Sequence, residues 1–361
     1  MRCLFRGCCH VGLLAYAIVL GACAIDVDRE TGAPAPRAAP PPLGAAQQRD
    51  THASWKIIGS GDYNLDGQVD VLWNEPTNNA IAVWLMRGTH LLTPGPVIPG
   101  PAGEGWSPLT PADFNFDGMN DVPWSNSGSG SMAAWLMTGT HLLAPGPVIP
   151  GPLGAGWSAV TAADFNSDGS ADMLWYNAGA HAMAVWLMRG ARLLVPGPTR
   201  PTPAGNGWVV TTAADFNLDG QADVLWNNPV TNTMTVWLMR GTHLFAAGPE
   251  IPGPSGPGWT AVTAADFNFD GMNDVIWSNS VNGSMAVWLM NGTHLLAAGP
   301  EIPGPTGPGW SVAYAGDFNF DGMADAIWQN TMTPRMAVWL MSGTHLLAPG
   351  PEIPGPAPLG P

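Results

Sequence analysis

The ten residues ADFNFDGMND fill positions 112–121, and the same ten letters return at 265–274. The chain is only 11% charged, yet this stretch sets three aspartates within nine residues. Related stretches begin at Asp62, Asp113, Asp164, Asp215, Asp266 and Asp317, a constant spacing of 51 residues. A fixed period of this size marks an array of like units, and it governs how every other motif is interpreted.

The same period carries Trp55, Trp106, Trp157, Trp208, Trp259 and Trp310, most of them after a Gly- and Pro-rich run. Two further tryptophans per unit, in segments such as DVLW (Trp73, Trp226) and AVWLM (Trp84, Trp288), account for all 18. Within 208–258 the unit reads as four short strands: WVVTTAADF, DVLWNN, TMTVWLMRG and THLFAAGPEI. Each run is β-branched or aromatic and bounded by Asn, Gly or Pro, and frequent proline excludes long helices. The middle strands are apolar on both faces, as in Met234-Thr235-Val236-Trp237-Leu238-Met239, which suits a sheet covered on both sides. Four strands in about 50 residues make one propeller blade, so the pattern predicts an all-β, six-bladed β-propeller of four-stranded antiparallel blades. Closure into a ring removes the bare end faces of a straight array.

The acidic stretch has the form D-x-N-x-D-G-x-x-D. Position 1 is Asp62, Asp113, Asp164, Asp215, Asp266 or Asp317, and position 3 is Asn64, Asn115, Asn166, Asn217, Asn268 or Asn319. Position 5 is Asp66, Asp117, Asp168, Asp219, Asp270 or Asp321, and position 9 is Asp70, Asp121, Asp172, Asp223, Asp274 or Asp325. Calcium takes six to eight hard oxygen ligands, and a tight loop supplies them by turning alternate side chains inward around a glycine at position 6. Position 7 would add a main-chain carbonyl from Gln68, Met119, Ser170, Gln221, Met272 or Met323, whose varied side chains suit a backbone ligand. The alternative is that Asp and Asn form Asx-turns in a plain hairpin. Six copies that each keep four oxygen-bearing positions and the glycine favour calcium, as a structural ion. Without metal, three carboxylates per loop repel one another.

Loops of this form, followed at once by DVLW- or DVIW-type strands, resemble the FG-GAP/VCBS repeat family, which includes the propellers of integrin α-chains and of fungal and bacterial lectins. The resemblance spans 55–356. It implies calcium between the first two strands of each blade, held at the positions just named. The chain departs from the family in having six units where seven is commoner, and in its indistinct Phe-Gly/Gly-Ala-Pro signatures.

Formal net charge is −15, and Lys56 is the sole lysine. No Lys/Arg cluster follows the first residues, which excludes the electrostatic footprint of a nucleic-acid binder. The first 22 residues, with Arg2 and Arg6 before an apolar run, read as a secretory signal. Leu20-Gly21-Ala22-Cys23 resembles a bacterial lipoprotein box, which implies lipidation at Cys23; cleavage after Ala22-Cys23-Ala24, giving a secreted protein, is the alternative. Residues 23–54 read as a Pro/Ala-rich tether and 55–361 as the propeller. All four cysteines lie at or before Cys23, so the propeller must stand without disulfides. The expected location is a bacterial cell envelope, through a lipid anchor alone, and the expected state a monomer.

A histidine opens the fourth strand in five units, at His90, His141, His243, His294 and His345, with Arg192 in the sixth. These are expected as ordinary strand-end residues rather than a zinc site. No Ser-His-Asp set, Cys-His set or paired Glu has catalytic spacing, so no enzyme is expected. The second-to-third-strand loops vary most, from NEPTNNA in the first unit to QNTMTPR in the last. Variable polar tips on a rigid scaffold are where recognition resides, so a glycan or extracellular protein ligand is expected on the face opposite the acidic loops; a structural envelope protein or protein-interaction scaffold without glycan binding is the alternative. Trp106, Trp157, Trp208, Trp259 and Trp310 lie near that face, with two readings: stacking on a sugar ring, or packing between blades.

Overall fold

The computed structural model describes residues 55–357, all strands and turns with no helix among them. The predicted signal, Cys23 and the tether lie outside the described residues. Six sheets follow one another at the 51-residue period. In the fourth, Val209–Ala214 pairs antiparallel with Asp223–Asn228, which pairs with Thr233–Arg240, which pairs with His243–Ala247. The predicted fourth strand is interrupted rather than continuous. After Gly248 and Pro249 the chain returns to the same partner, as Ile251–Pro252 opposite Met234 and Thr233. The break follows from chemistry: Pro249 has no N–H to donate, and Gly248 bonds out of sequence to the Val236 carbonyl at 2.9 Å.

The second blade departs from its siblings at the inner strand, which shrinks to Trp106–Pro108 with a single bridge from Ala112 to Asp121. Pro108 and Pro111 remove two ladder donors there. Elsewhere the inner strand runs six or seven residues with one bulge.

No single core exists. Instead there are six, each sandwiched between consecutive sheets. One joins Phe114, Met132 and Ile149 of the second blade to Trp157, Trp175 and Trp186 of the third. Another joins Trp55, Trp73 and Trp84 of the first to Phe318, Ile327 and Val338 of the sixth. This explains why the middle strands are apolar on both faces: Asp223–Asn228 is buried at every position. Second- and third-strand tryptophans pair in every blade, with ring centroids 5.1–5.6 Å apart and planes tilted by 53–60°. Their bulk sets a demand on the preceding blade. A Cβ at Gly151 would sit 2.4 Å from the Trp175 ring, so only glycine fits.

The ring closes between the last blade and the first. Gln329 donates from Nε2 to the Trp55 carbonyl at 2.8 Å and accepts from the Ile57 amide at 3.0 Å. Ser60 adds a bond to the Ala315 carbonyl at 3.0 Å. The corresponding residue of the third blade, Tyr176, likewise reaches forward to the Trp208 carbonyl of the next. Replacing Gln329 with Leu leaves a buried amide and a buried carbonyl unpaired, each worth roughly 1–3 kcal/mol. The expected result in urea unfolding is a loss of about 2–4 kcal/mol. Wild-type stability in that variant would mean that the closure does not depend on this side chain.

Candidate metal loops and the opposite face

Each acidic loop wraps around its first carboxylate. In the first blade, Asp62 Oδ1 accepts from the amides of Asn64 at 3.1 Å and Leu65 at 2.8 Å, and Oδ2 accepts from Gly67 at 2.9 Å. Asn64 Oδ1 accepts from the Asp66 amide at 3.0 Å, and Asp66 Oδ1 from the Gln68 amide at 2.8 Å. The bond from the glycine amide to the first aspartate recurs in all six loops at 2.8–2.9 Å. The positive φ of 79–87° that this turn needs is why glycine stands at position 6.

The ninth position behaves differently from the others. Asp70 is fully buried and spends both oxygens on backbone: Oδ2 on the Tyr63 amide at 3.1 Å, Oδ1 on the Met86 amide at 2.9 Å. Its counterparts Asp121, Asp172, Asp223, Asp274 and Asp325 do the same, the second bond going to Met137, Met188, Met239, Met290 and Met341. The second bond crosses to the third strand, so each carboxylate ties the acidic loop to the middle of its blade. Burial pushes each of these carboxyls up to about 7, against the lowering effect of the two amides, and the carboxylates at positions 1 and 5 push the same way.

Among the described residues, no three carboxylate, histidine or cysteine side chains converge as a metal centre would gather them. Both oxygens of the ninth aspartate face amides. The donor set nevertheless fits calcium in kind: it is all hard oxygen, Asp66 and Asp70 accept one bond per oxygen and keep lone pairs to share, and Asp62 keeps one on Oδ2. The position-7 side chain is also less free than the sequence suggests. Gln68 and Gln221 each accept, through Oε1, the glycine amide of the third-to-fourth-strand turn, Gly88 and Gly241, both at 2.8 Å.

Position 4, which carries no ligand chemistry, turns out to link the loops. Leu65, Phe116, Ser167, Leu218, Phe269 and Phe320 all take a left-handed backbone with φ of 60–62°, a conformation that costs an L-residue roughly 1 kcal/mol. Each leans over the position-6 glycine of the next blade: Leu65 over Gly118, Phe116 over Gly169, and so on until Phe320 meets Gly67. A backbone bond runs alongside in five of the six junctions, for example from the Ala171 amide to the Asp113 carbonyl at 2.6 Å. The six loops therefore form a closed chain on one face.

The opposite face holds the inter-blade connectors and the second-to-third-strand loops, as expected. Trp157, Trp208, Trp259 and Trp310 are buried and Trp106 half-buried. The sugar-stacking reading is corrected for these four: the Trp208 and Trp259 indoles bond at 3.0 and 3.2 Å to carbonyls of their own connectors, and the rings fill the blade interfaces. Around Trp310, however, the surface opens into two cavities of about 500 and 310 Å³ between the fifth and sixth blades. Val281 and Asn282 line the larger, Met332, Arg335 and Glu352 the smaller. The five strand-opening histidines are exposed, each within 3.0–3.2 Å of the preceding threonine hydroxyl, with no shared site.

The two aspartate roles separate experimentally. In chelator, Asp172→Asn should lower unfolding free energy by about 2–3 kcal/mol, because an amide NH₂ cannot accept from a buried N–H. Asp168→Asn, at an exposed position, should cost under about 0.5 kcal/mol. Equal losses in urea titrations would mean that the ninth aspartate is no more structural than the fifth.

A profile of the FG-GAP-like repeat matches residues 62–124, 113–175, 215–277 and 266–328, each match running from one acidic loop through the next and its DVxW-type strand. No curated protein matches the chain. Among solved structures, Raptor from Chaetomium thermophilum shares 11% identity and a TM-score of 0.51, over 82% of this chain and 24% of that one. A protein from Lactobacillus plantarum shares 15% identity and a TM-score of 0.50, over 82% and 85%. A candidate 6-phosphogluconolactonase from Bacteroides uniformis shares 10% and 0.50, over 84% and 97%. At such identities these similarities speak to the propeller fold alone. The repeat matches cover more than half of the sequence, and on them the chain belongs to the FG-GAP-like repeat family.

Proposed function

We propose that this protein is a non-catalytic binding propeller, stabilised by calcium in its six acidic loops, that takes a glycan or extracellular protein ligand on the connector face. The observation that carries the binding role is the pair of cavities around Trp310, on the face where the blades differ most in sequence. Calcium would be held by the carboxylates at positions 1 and 5, the Asn amide oxygen at position 3 and the position-7 carbonyl. The ninth aspartate would share an oxygen already committed to an amide. A divalent ion supplies the positive charge that three carboxylates per loop otherwise lack. The carboxyls that burial pushes up are enclosed staples of the fold rather than groups open to a substrate. Residues 1–22 would export the protein, and lipid at Cys23 with the 23–54 tether would fix the propeller to a bacterial envelope, as a monomer.

Calcium that binds the folded ring alone raises stability by about 2.7 kcal/mol per site at a hundredfold excess over its dissociation constant. The melting temperature should therefore climb with millimolar calcium and fall on chelation. An unchanged melting curve would sink the structural-calcium reading. A glycan array and a pull-down from extracellular extract, both in calcium, test the binding role, and silence in both would remove it.

A further inference from the structure

The two halves of the ring differ on the connector face. Blades four to six set Val230, Val281 and Met332 at the tips of their second-to-third-strand loops, 81%, 71% and 70% exposed. Each stands beside a connector glycine, Gly207, Gly258 or Gly309, whose missing side chain makes room for it. The matching residues of blades one to three are Thr77, Gly128 and Gly179. The same half carries exposed acids just before the returning two-residue segments (Ile251–Pro252 in the fourth blade), Glu250, Glu301 and Glu352, where the first three blades have Val97, Val148 and Thr199.

The sixth blade shows what such an acid takes. Arg335 opens the third strand and its guanidinium meets Glu352 at 2.8 Å. Thr233 and Ser284 stand in the place of Arg335 in the fourth and fifth blades. Glu301 there accepts from Asn282 Nδ2 at 2.7 Å and Ser284 Oγ at 2.6 Å, neutral donors that leave its charge in place. Among the described residues neither Glu250 nor Glu301 has a cationic partner. The rings that could stack on a sugar in this half, Trp208, Trp259 and Trp310, are buried.

The geometry points to a docking surface for one kind of partner: a protein segment carrying basic and apolar side chains, laid across blades four to six. Its cations would pair with Glu250 and Glu301, where the chain's own arginine is lacking, and its apolar side chains would pack on Val281 and Met332 at the rims of the two cavities. Complementary charge sets the orientation, while the apolar contacts make the complex more than diffuse attraction to an acidic protein. This inference rests on the connector face being the binding face.

The test uses the full-length chain in calcium and three labelled peptides of alternating composition: Lys with Leu, Lys with Ser, and Glu with Leu. In fluorescence anisotropy the Lys–Leu peptide should bind at least about tenfold more tightly than either other. The double variants Glu250→Gln/Glu301→Gln and Val281→Ser/Met332→Ser should each weaken it by about tenfold, with melting curves showing both folded. Val97→Ser/Val148→Ser, on the other half, should leave it unchanged. Equal binding of Lys–Ser, or indifference to both blade-four-to-six variants, overturns the proposal. A glycan array run beside it separates the failures. Glycan binding without peptide binding removes this inference and keeps the binding role, whereas silence on both removes both.

Discussion

Everything in this ring hangs on a buried carboxylate that accepts two amides. In each blade the ninth loop residue sits at the head of the second strand, fully buried, with one oxygen on the loop and one on the third strand. A buried carboxylate is costly unless hydrogen-bonded, and here the bonds join three segments that sequence separates by seven and sixteen residues. Because the loop is held at its far end, its first carboxylate can organise the turn between. The turn in turn places the position-4 side chain over the neighbouring blade.

That last step converts six independent hairpins into one ring. Leu65, Phe116, Leu218, Phe269 and Phe320 are large, apolar and 56–72% exposed, and they occupy a strained backbone. Their contact with the next blade's glycine offsets part of that cost, and the packing of consecutive sheets does the rest. Stability is thus spread over six equivalent interfaces, with ring closure carried by Gln329 and by Phe320 over Gly67. The face so built is uniform. The opposite face, freed from this task, is where the blades diverge.

Much of this was legible in the residues. The 51-residue spacing of Asp62, Asp113 and their successors announced six blades, and the both-faced apolar pattern around Trp237 announced sheets buried on two sides. The acidic loops were legible as loops. The division of labour within them was not, because Asp66 and Asp70 look alike on paper and differ only in what surrounds them. Position 4 carries Phe or Leu in five of the six units, side chains that suggest no chemistry in sequence. The contrast of GPEIPG in the later units with GPVIPG and GPTRPT in the earlier ones was in plain view, and marks the asymmetry of the connector face.

Sequence alone determined the period, the strand content and the kind of atom each loop presents, since these follow from local pattern and side-chain chemistry. The tertiary structure decided which aspartates are staples, which tryptophans are enclosed, and which glycines must remain glycine. The reason is physical. Hydrogen-bond satisfaction and burial are set by groups on other strands and on the neighbouring blade, and a residue's own identity does not specify them.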